Sequence, residues 1–300
     1  MQFKKALFPL LFPLAAFAAD TIQVPVWPPE GESLPVPTLV AMIGGEKTEV
    51  LNAQGPTDDL MLLIVLDLTE DLALVEQART ALLERIEKLP PNHLVGVLSA
   101  QNGLRVLAEP TADHAKIAAA IHSQQVGGRA GLLETVEESA QIGSSILAKS
   151  GVRVAIFYVT DSDINNYREA FDNPTVNRSD QGDVSRRMDS LVRERMSRVS
   201  ATLAKEQAPV FITHLSYRND QLNVAYQTGL ISLTAATGGN ALIARSNAEI
   251  PEYINSTLDH ILGHYSVKLA VHNPALKKAD VALESEAGEL DYRSSYLLGN

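Results

Sequence analysis

Three short stretches of this chain of 300 residues carry groups suited to chemistry. Asp67-Leu68-Thr69-Glu70-Asp71 and Asp161-Ser162-Asp163 offer carboxylate and hydroxyl oxygens. Gly127-Gly128-Arg129-Ala130-Gly131 is a flexible link with one base. Clustered carboxylates can hold a hard cation or act as acid and base in hydrolysis. A hydrolase or metal-dependent phosphatase using Asp67 and Asp161 is therefore one reading, although no nucleophile–base pair accompanies them. No Gly-x-Ser-x-Gly elbow occurs, and the glycine-rich link lacks both the spacing and the lysine of a phosphate loop. It reads as a turn into the next helix.

Weaker signals are explained more simply. Asp161 to Asp172 faintly follows a calcium-loop pattern, but Arg168 and Asn166 stand where an apolar residue and a glycine belong. His260 and His264 lie one helical turn apart without a third ligand, so a helix end accounts for them. The sequons at Asn177 and Asn255 are short enough to arise by chance.

The elements that must position these residues follow from periodicity. Leu60–Leu66, Leu94–Ser99, Val152–Thr160 and Val210–Ser216 are continuous apolar runs, as in strands covered on both faces. Leu104–Leu107 reads as a further strand after a tight turn at Asn102-Gly103. Helical patterns alternate with these strands at Leu72–Ile86, Ala112–His122, Leu132–Ala148, Leu222–Ala236 and Ile250–Leu262. The charged segment Val184–Glu206 reads as a helix laid on its own domain, with partner binding as the alternative. This order predicts an α/β fold: a doubly wound, mostly parallel sheet with helices on both faces. Such sheets place their sites beyond the C-terminal strand ends, where all three candidate stretches fall.

The flanks read differently. Residues 19–59 are Pro-rich, with short strands at Thr38–Ile43 and Lys47–Leu51. Residues 264–300 alternate again at Tyr265–Val271, Val281–Glu284 and Asp291–Leu297. These two segments are expected to pair into one small β module beside a central domain spanning 60–263.

Lys4 and Lys5, the apolar run Ala6–Ala15 and Ala16-Phe17-Ala18 have the order of a Sec-type signal peptide spanning 1–18. That run is too short for a bilayer about 30 Å thick, and no later segment is both long and apolar enough. The expected product is periplasmic or secreted, with no integral membrane segment after signal removal. Losing two lysines takes the net charge from −11 to −13. Such a surface repels phosphate backbones and excludes nucleic acid as a partner. The chain has no cysteine, hence no disulfide, thiolate metal site or lipid-anchored cysteine.

The stretch Leu63–Asp71 resembles the von Willebrand factor A (VWA) strand that ends in Asp-x-Ser-x-Ser, and Val152–Asp163 resembles the later strand ending in Thr-Asp-Gly. Leu233–Gly239 is similar to the Ala-x-x-Thr-Gly-Gly segment of bacterial VWA proteins, and His264–Val267 to the Tyr-containing strand after it. Asp291–Tyr296 is similar to an ending found in exported VWA-related proteins abundant in acidobacteria. The resemblance implies a Rossmann-like fold and a metal-ion-dependent adhesion site, where few charged ligands hold Mg²⁺ and a partner carboxylate completes its shell. Matched position by position, Asp67 and Asp161 are kept and Thr69 replaces the first Ser. Asp71 replaces the second Ser, Ala130 falls at the Thr of the middle loop, and Ser162 replaces Gly. One reading keeps a cation, Mg²⁺ or another divalent ion, held weakly by Asp67, Thr69, Asp71 and Asp161. The favoured reading is a degenerate site, with Arg129 answering carboxylates that converge beside Asp163. The function implied is a non-enzymatic module binding a protein partner, or a metal-independent structural subunit of an envelope assembly.

Overall fold

The computed structural model describes residues 20–167, 181–273 and 275–298, with the side chains of residue 20 and residues 181–187 excepted. The signal peptide expected at 1–18, Asp172 and the Asn177 sequon lie outside the described residues.

The chain begins with β1 (Asp20–Trp27), β2 (Val40–Ile43), β3 (Glu46–Thr48) and β4 (Val50–Gln54). Then come β5 (Leu60–Asp67), α1 (Leu72–Ile86), β6 (His93–Ser99), β7 (Arg105–Thr111), α2 (His114–Ser123), α3 (Leu132–Ser150) and β8 (Arg153–Thr160). After these follow α4 (Gln181–Leu203), β9 (Val210–His214), α5 (Gln221–Ala235), β10 (Ala241–Ile243) and α6 (Glu249–Gly263). Strands β11 (Tyr265–Val271), β12 (Lys278–Glu284), β13 (Asp291–Tyr292) and β14 (Ser295–Leu297) complete it.

A six-stranded sheet in the order β10-β9-β8-β5-β6-β7 forms the centre, parallel throughout except at β7. Both faces of β5 are covered. Leu62, Ile64 and Leu66 pack with α1, α2 and α6, while Leu63 and Val65 pack with α3, α4 and α5. Each such side chain contributes about 2 kcal/mol when removed from water. The charged helix α4 buries Val192, Met196, Val199 and Leu203 in this second core, so its apolar stripe is satisfied within the chain.

The two flanks pair into a sandwich of four-stranded sheets, β13-β1-β11-β4 and β14-β12-β2-β3. Ile22, Val24, Val26, Val267 and Leu269 face Ala41, Ile43, Ala279, Val281 and Tyr296 between them. Several strand boundaries differ from those expected from sequence. The single strand expected at Lys47–Leu51 breaks at Glu49, and that at Asp291–Leu297 breaks at Arg293 and Ser294, because each crosses from one sheet to the other. Strand β7 runs on to Thr111, past the expected end at Leu107. Strand β1 occupies a segment read as Pro-rich loop. Pro25 is tolerated there because β13 pairs only with Val26 and Trp27, leaving Pro25 a strand neighbour on one side alone.

Buried side chains join the sandwich to the central sheet. The Trp27 indole stacks on His260 at 4.3 Å and donates to its carbonyl at 2.8 Å. Arg153, fully buried, donates to the carbonyls of Pro56, Asp58, Leu262 and His264. Arg293, at the sheet-to-sheet corner, reaches the carbonyls of Ala204, Glu206 and Ser295.

Candidate functional site

Asp67 is the last residue of β5 and has no exposed surface. One of its carboxylate oxygens accepts from the Gly131 N–H at 2.9 Å. The other accepts from the Leu132 N–H at 3.2 Å, the Ser162 hydroxyl at 2.8 Å and the Thr160 hydroxyl at 3.2 Å. Gly131 and Leu132 open α3, so Asp67 caps that helix from a neighbouring strand, where the dipole favours negative charge. Burial nevertheless outweighs these hydrogen bonds and raises the Asp67 pKa. Gly131 is required by space: a Cβ there would lie 1.8 Å from the Ala100 carbonyl oxygen.

Asp161 follows β8 and is 2% exposed. One oxygen accepts from the Thr69 N–H at 2.5 Å and the Thr69 hydroxyl at 3.2 Å. The other accepts from the N–H groups of Glu70 and Asp71 at 2.8 and 2.9 Å. Three successive backbone amides therefore wrap one carboxylate, the arrangement of an anion nest. Asp71 itself is the N-cap of α1, accepting from Ala73 and Leu74. Aspartate and serine cap comparably, so the Asp at this position meets a local demand of the helix.

The remaining expected residues are placed as follows. Ala130 is buried in the core against α3 and brings no oxygen. The Asp163 carboxylate accepts from the backbone and side chain of Asn165 and lies 3.8 Å from the Arg218 guanidinium. Arg218 also meets Glu70 at 3.4 Å, and Glu70 accepts from the Asn166 amide at 2.6 Å. Arg129 does not answer these carboxylates. It is exposed, makes no ion pair among the described residues, and donates its backbone N–H to Asn102. The expected convergence of carboxylates is also absent, because Asp67, Asp161 and Asp71 each serve a different set of backbone amides.

Four residues that carry the site were not singled out from sequence as ligands or supports. Thr160 was visible only as the Thr of the quoted strand ending. The Gln101 amide donates to the carbonyls of Leu68, Gln125 and Gly127, and its oxygen accepts from Gln124. This buried pair pins the glycine link, yet no sequence spacing announces it. His214, fully buried, accepts from the Ser216 N–H and so donates from Nε2 to the Ser162 carbonyl at 2.9 Å. Burial pushes its pKa down to about 4.

These donors do not fit a hard cation. Octahedral coordination needs free oxygen lone pairs converging on one point. Here both Asp67 oxygens and both Asp161 oxygens accept hydrogen bonds from the protein, and Asp71 Oδ1 caps its own helix. Among the described residues no group of three His, Asp or Glu side chains is placed to hold a metal.

No family model and no curated protein matches the chain. Among solved structures it is similar to a von Willebrand factor type A protein from Catenulispora acidiphila, at 10% identity and TM-score 0.46, over 94% of this chain and 74% of that one. It is also similar to the SpRpn10 VWA domain, at 12% identity and TM-score 0.41, over 66% and 94% of the two chains. A third is an aerotolerance-related membrane protein from Bacteroides fragilis, at 12% identity and TM-score 0.39, over 67% and 98%. The six-stranded, mostly parallel central sheet with helices packed on both faces is a doubly wound α/β arrangement.

Proposed function

We propose that this chain is an extracytoplasmic VWA-like module that binds a protein partner without a metal ion. The carrying observation is the internal use of both carboxylate oxygens of Asp67 and of Asp161. Asp67 and Asp161 hold the loops at 69–71 and 131–132, and the surface beyond them, with Leu72 and Tyr217, is exposed. Leu72 is 59% exposed and Tyr217 40%, both beside the Glu70–Arg218 ion pair. Apolar and aromatic side chains held open on a pinned platform suit partner contact. The hydrolase reading needs Asp67 or Asp161 open to substrate, and burial of both weighs against it. Export is supported by the charge, apolar run and small residues of the first eighteen positions.

The test is a thermal melt combined with capture of partners from envelope extract. Millimolar Mg²⁺ should leave the melting temperature unchanged, whereas a ligand at 100 times its dissociation constant would stabilise by about 2.7 kcal/mol. A chelator should not reduce capture, and the paired change Leu72→Glu and Tyr217→Glu should. A Mg²⁺-dependent rise abolished by Asp67→Ala overturns the metal-free reading. Turnover of small esters would restore the hydrolase.

A further inference from the structure

The glycine link and the turn between β6 and β7 close against each other and leave a hollow of about 380 Å³. Gly128, at a φ of +92°, comes so near this turn that a Cβ would lie 2.5 Å from the Asn102 amide nitrogen. Strand β7 forms one wall. A bulge makes Leu107 the extra residue between Val106 and Ala108, which pair with Leu98 and Val97. Bulges withdraw an edge from further pairing and re-aim side chains, and Leu107 lines the hollow together with Val126. The polar groups around this apolar patch are of both kinds. Arg105 is exposed and has no ion-pair partner among the described residues. Asn102 spends its oxygen on the Arg129 N–H at 3.0 Å, which leaves its nitrogen to donate. Gln124 is only 6% exposed; its nitrogen donates to Gln101 and to the Gln125 carbonyl, while its oxygen accepts from no group among the described residues. Among those residues no aspartate or glutamate lines the hollow, in a chain of net charge −11.

We propose that this hollow binds a uronic acid, free or carried on an acidic glycan. The forked donors of Arg105 match a carboxylate, and no acid in the wall competes for them. Ring hydroxyls both donate and accept, so they need partners of both kinds, which the Asn102 nitrogen, the Gln124 oxygen and the exposed Gln125 carboxamide supply. Leu107 and Val126 offer the apolar patch on which the C–H face of a sugar ring rests. The volume lies within the range of about 300–1,000 Å³ usual for small-molecule sites. A simple anion would leave the Gln124 oxygen without a donor, and a neutral sugar would leave Arg105 unanswered. A sugar acid satisfies both. The inference is independent of how the Asp67 site functions.

Isothermal titration calorimetry of the full chain with galacturonate, trigalacturonate, galactose and acetate tests it. Both uronates should bind at least about tenfold more tightly than galactose or acetate. Arg105→Gln should reduce galacturonate to the level of galactose. Ser123→Leu, which sets a larger side chain at the exposed rim of the hollow, should abolish binding. Neither change should move the melting temperature, because both side chains are exposed. A preference for the trimer assigns the site to a glycan and equal affinities assign it to the free sugar acid; either supports the proposal. Absence of binding by both uronates overturns it. So does galacturonate binding no tighter than acetate, which marks an adventitious ion only, or binding indifferent to Arg105→Gln.

Discussion

At the scale of single residues, a carboxylate beside backbone amides has a choice between metal and amide. Asp161 takes amides. Asp161→Ala should leave the N–H groups of Thr69, Glu70 and Asp71 without acceptors and cost about 2–4 kcal/mol in a urea melt. Asp71→Ser should change stability little, since serine also caps, while Asp71→Ala should cost about 1 kcal/mol. Arg129→Ala tests the electrostatic idea drawn from sequence, that this base offsets converging acids. With Arg129 exposed and those acids held by amides, the change should fall within about 0.5 kcal/mol. A large, pH-dependent loss would show that Arg129 faces the carboxylates in solution.

At the scale of elements, the site depends on how closely the start of α3 approaches β6. Gly131→Ala would drive a methyl into the Ala100 carbonyl and pull the helix start from Asp67. It should cost about 3 kcal/mol or more, whereas Gly127→Ala, with open space around it, should cost less and only through its positive φ. The end of β9 contributes to the pH response. His214 titrates near 4 in the folded chain against 6.5 when unfolded, so the unfolded chain binds more protons between these values. The stability His214 confers is complete above about pH 6.5 and is lost as pH falls towards about 4. His264, pushed to about 3 by burial, adds to the same slope, while Asp67, with its raised pKa, opposes it at the acid end. Urea midpoints across this range should fall less steeply in His214→Gln than in the unmodified protein. Equal slopes would remove His214 from the account.

At the scale of the whole molecule, the two ends of the chain hold each other. Strand β11 lies between β1 and β4, and β12 between β14 and β2, so truncation before Tyr265 removes the centre of both sheets. The deleted form should expose Ile22, Val24, Ala41 and Ile43 and aggregate, as light scattering would record. Its central sheet should keep the α/β circular dichroism signal, because those strands pair among themselves. A truncated protein that stays monomeric would show the sandwich to be dispensable.

Much of the central sheet is legible in sequence because the physics there is local. Leu60–Leu66 and Val152–Thr160 must be covered on both faces whatever surrounds them, and strands alternating with helices leave few other folds. The same local logic placed Asp67 and Asp161 at strand ends. What the carboxylates do there is a tertiary matter. Whether Asp161 meets a cation or three amides depends on where the 69–71 loop turns, and the resemblance to Asp-x-Ser-x-Ser does not encode that turn. The same holds for Gln101 and Gln124, for His214 behind Ser162, and for the breaks at Glu49 and Arg293. Each is decided by a neighbour far away in the chain, and only packing brings it within hydrogen-bonding distance.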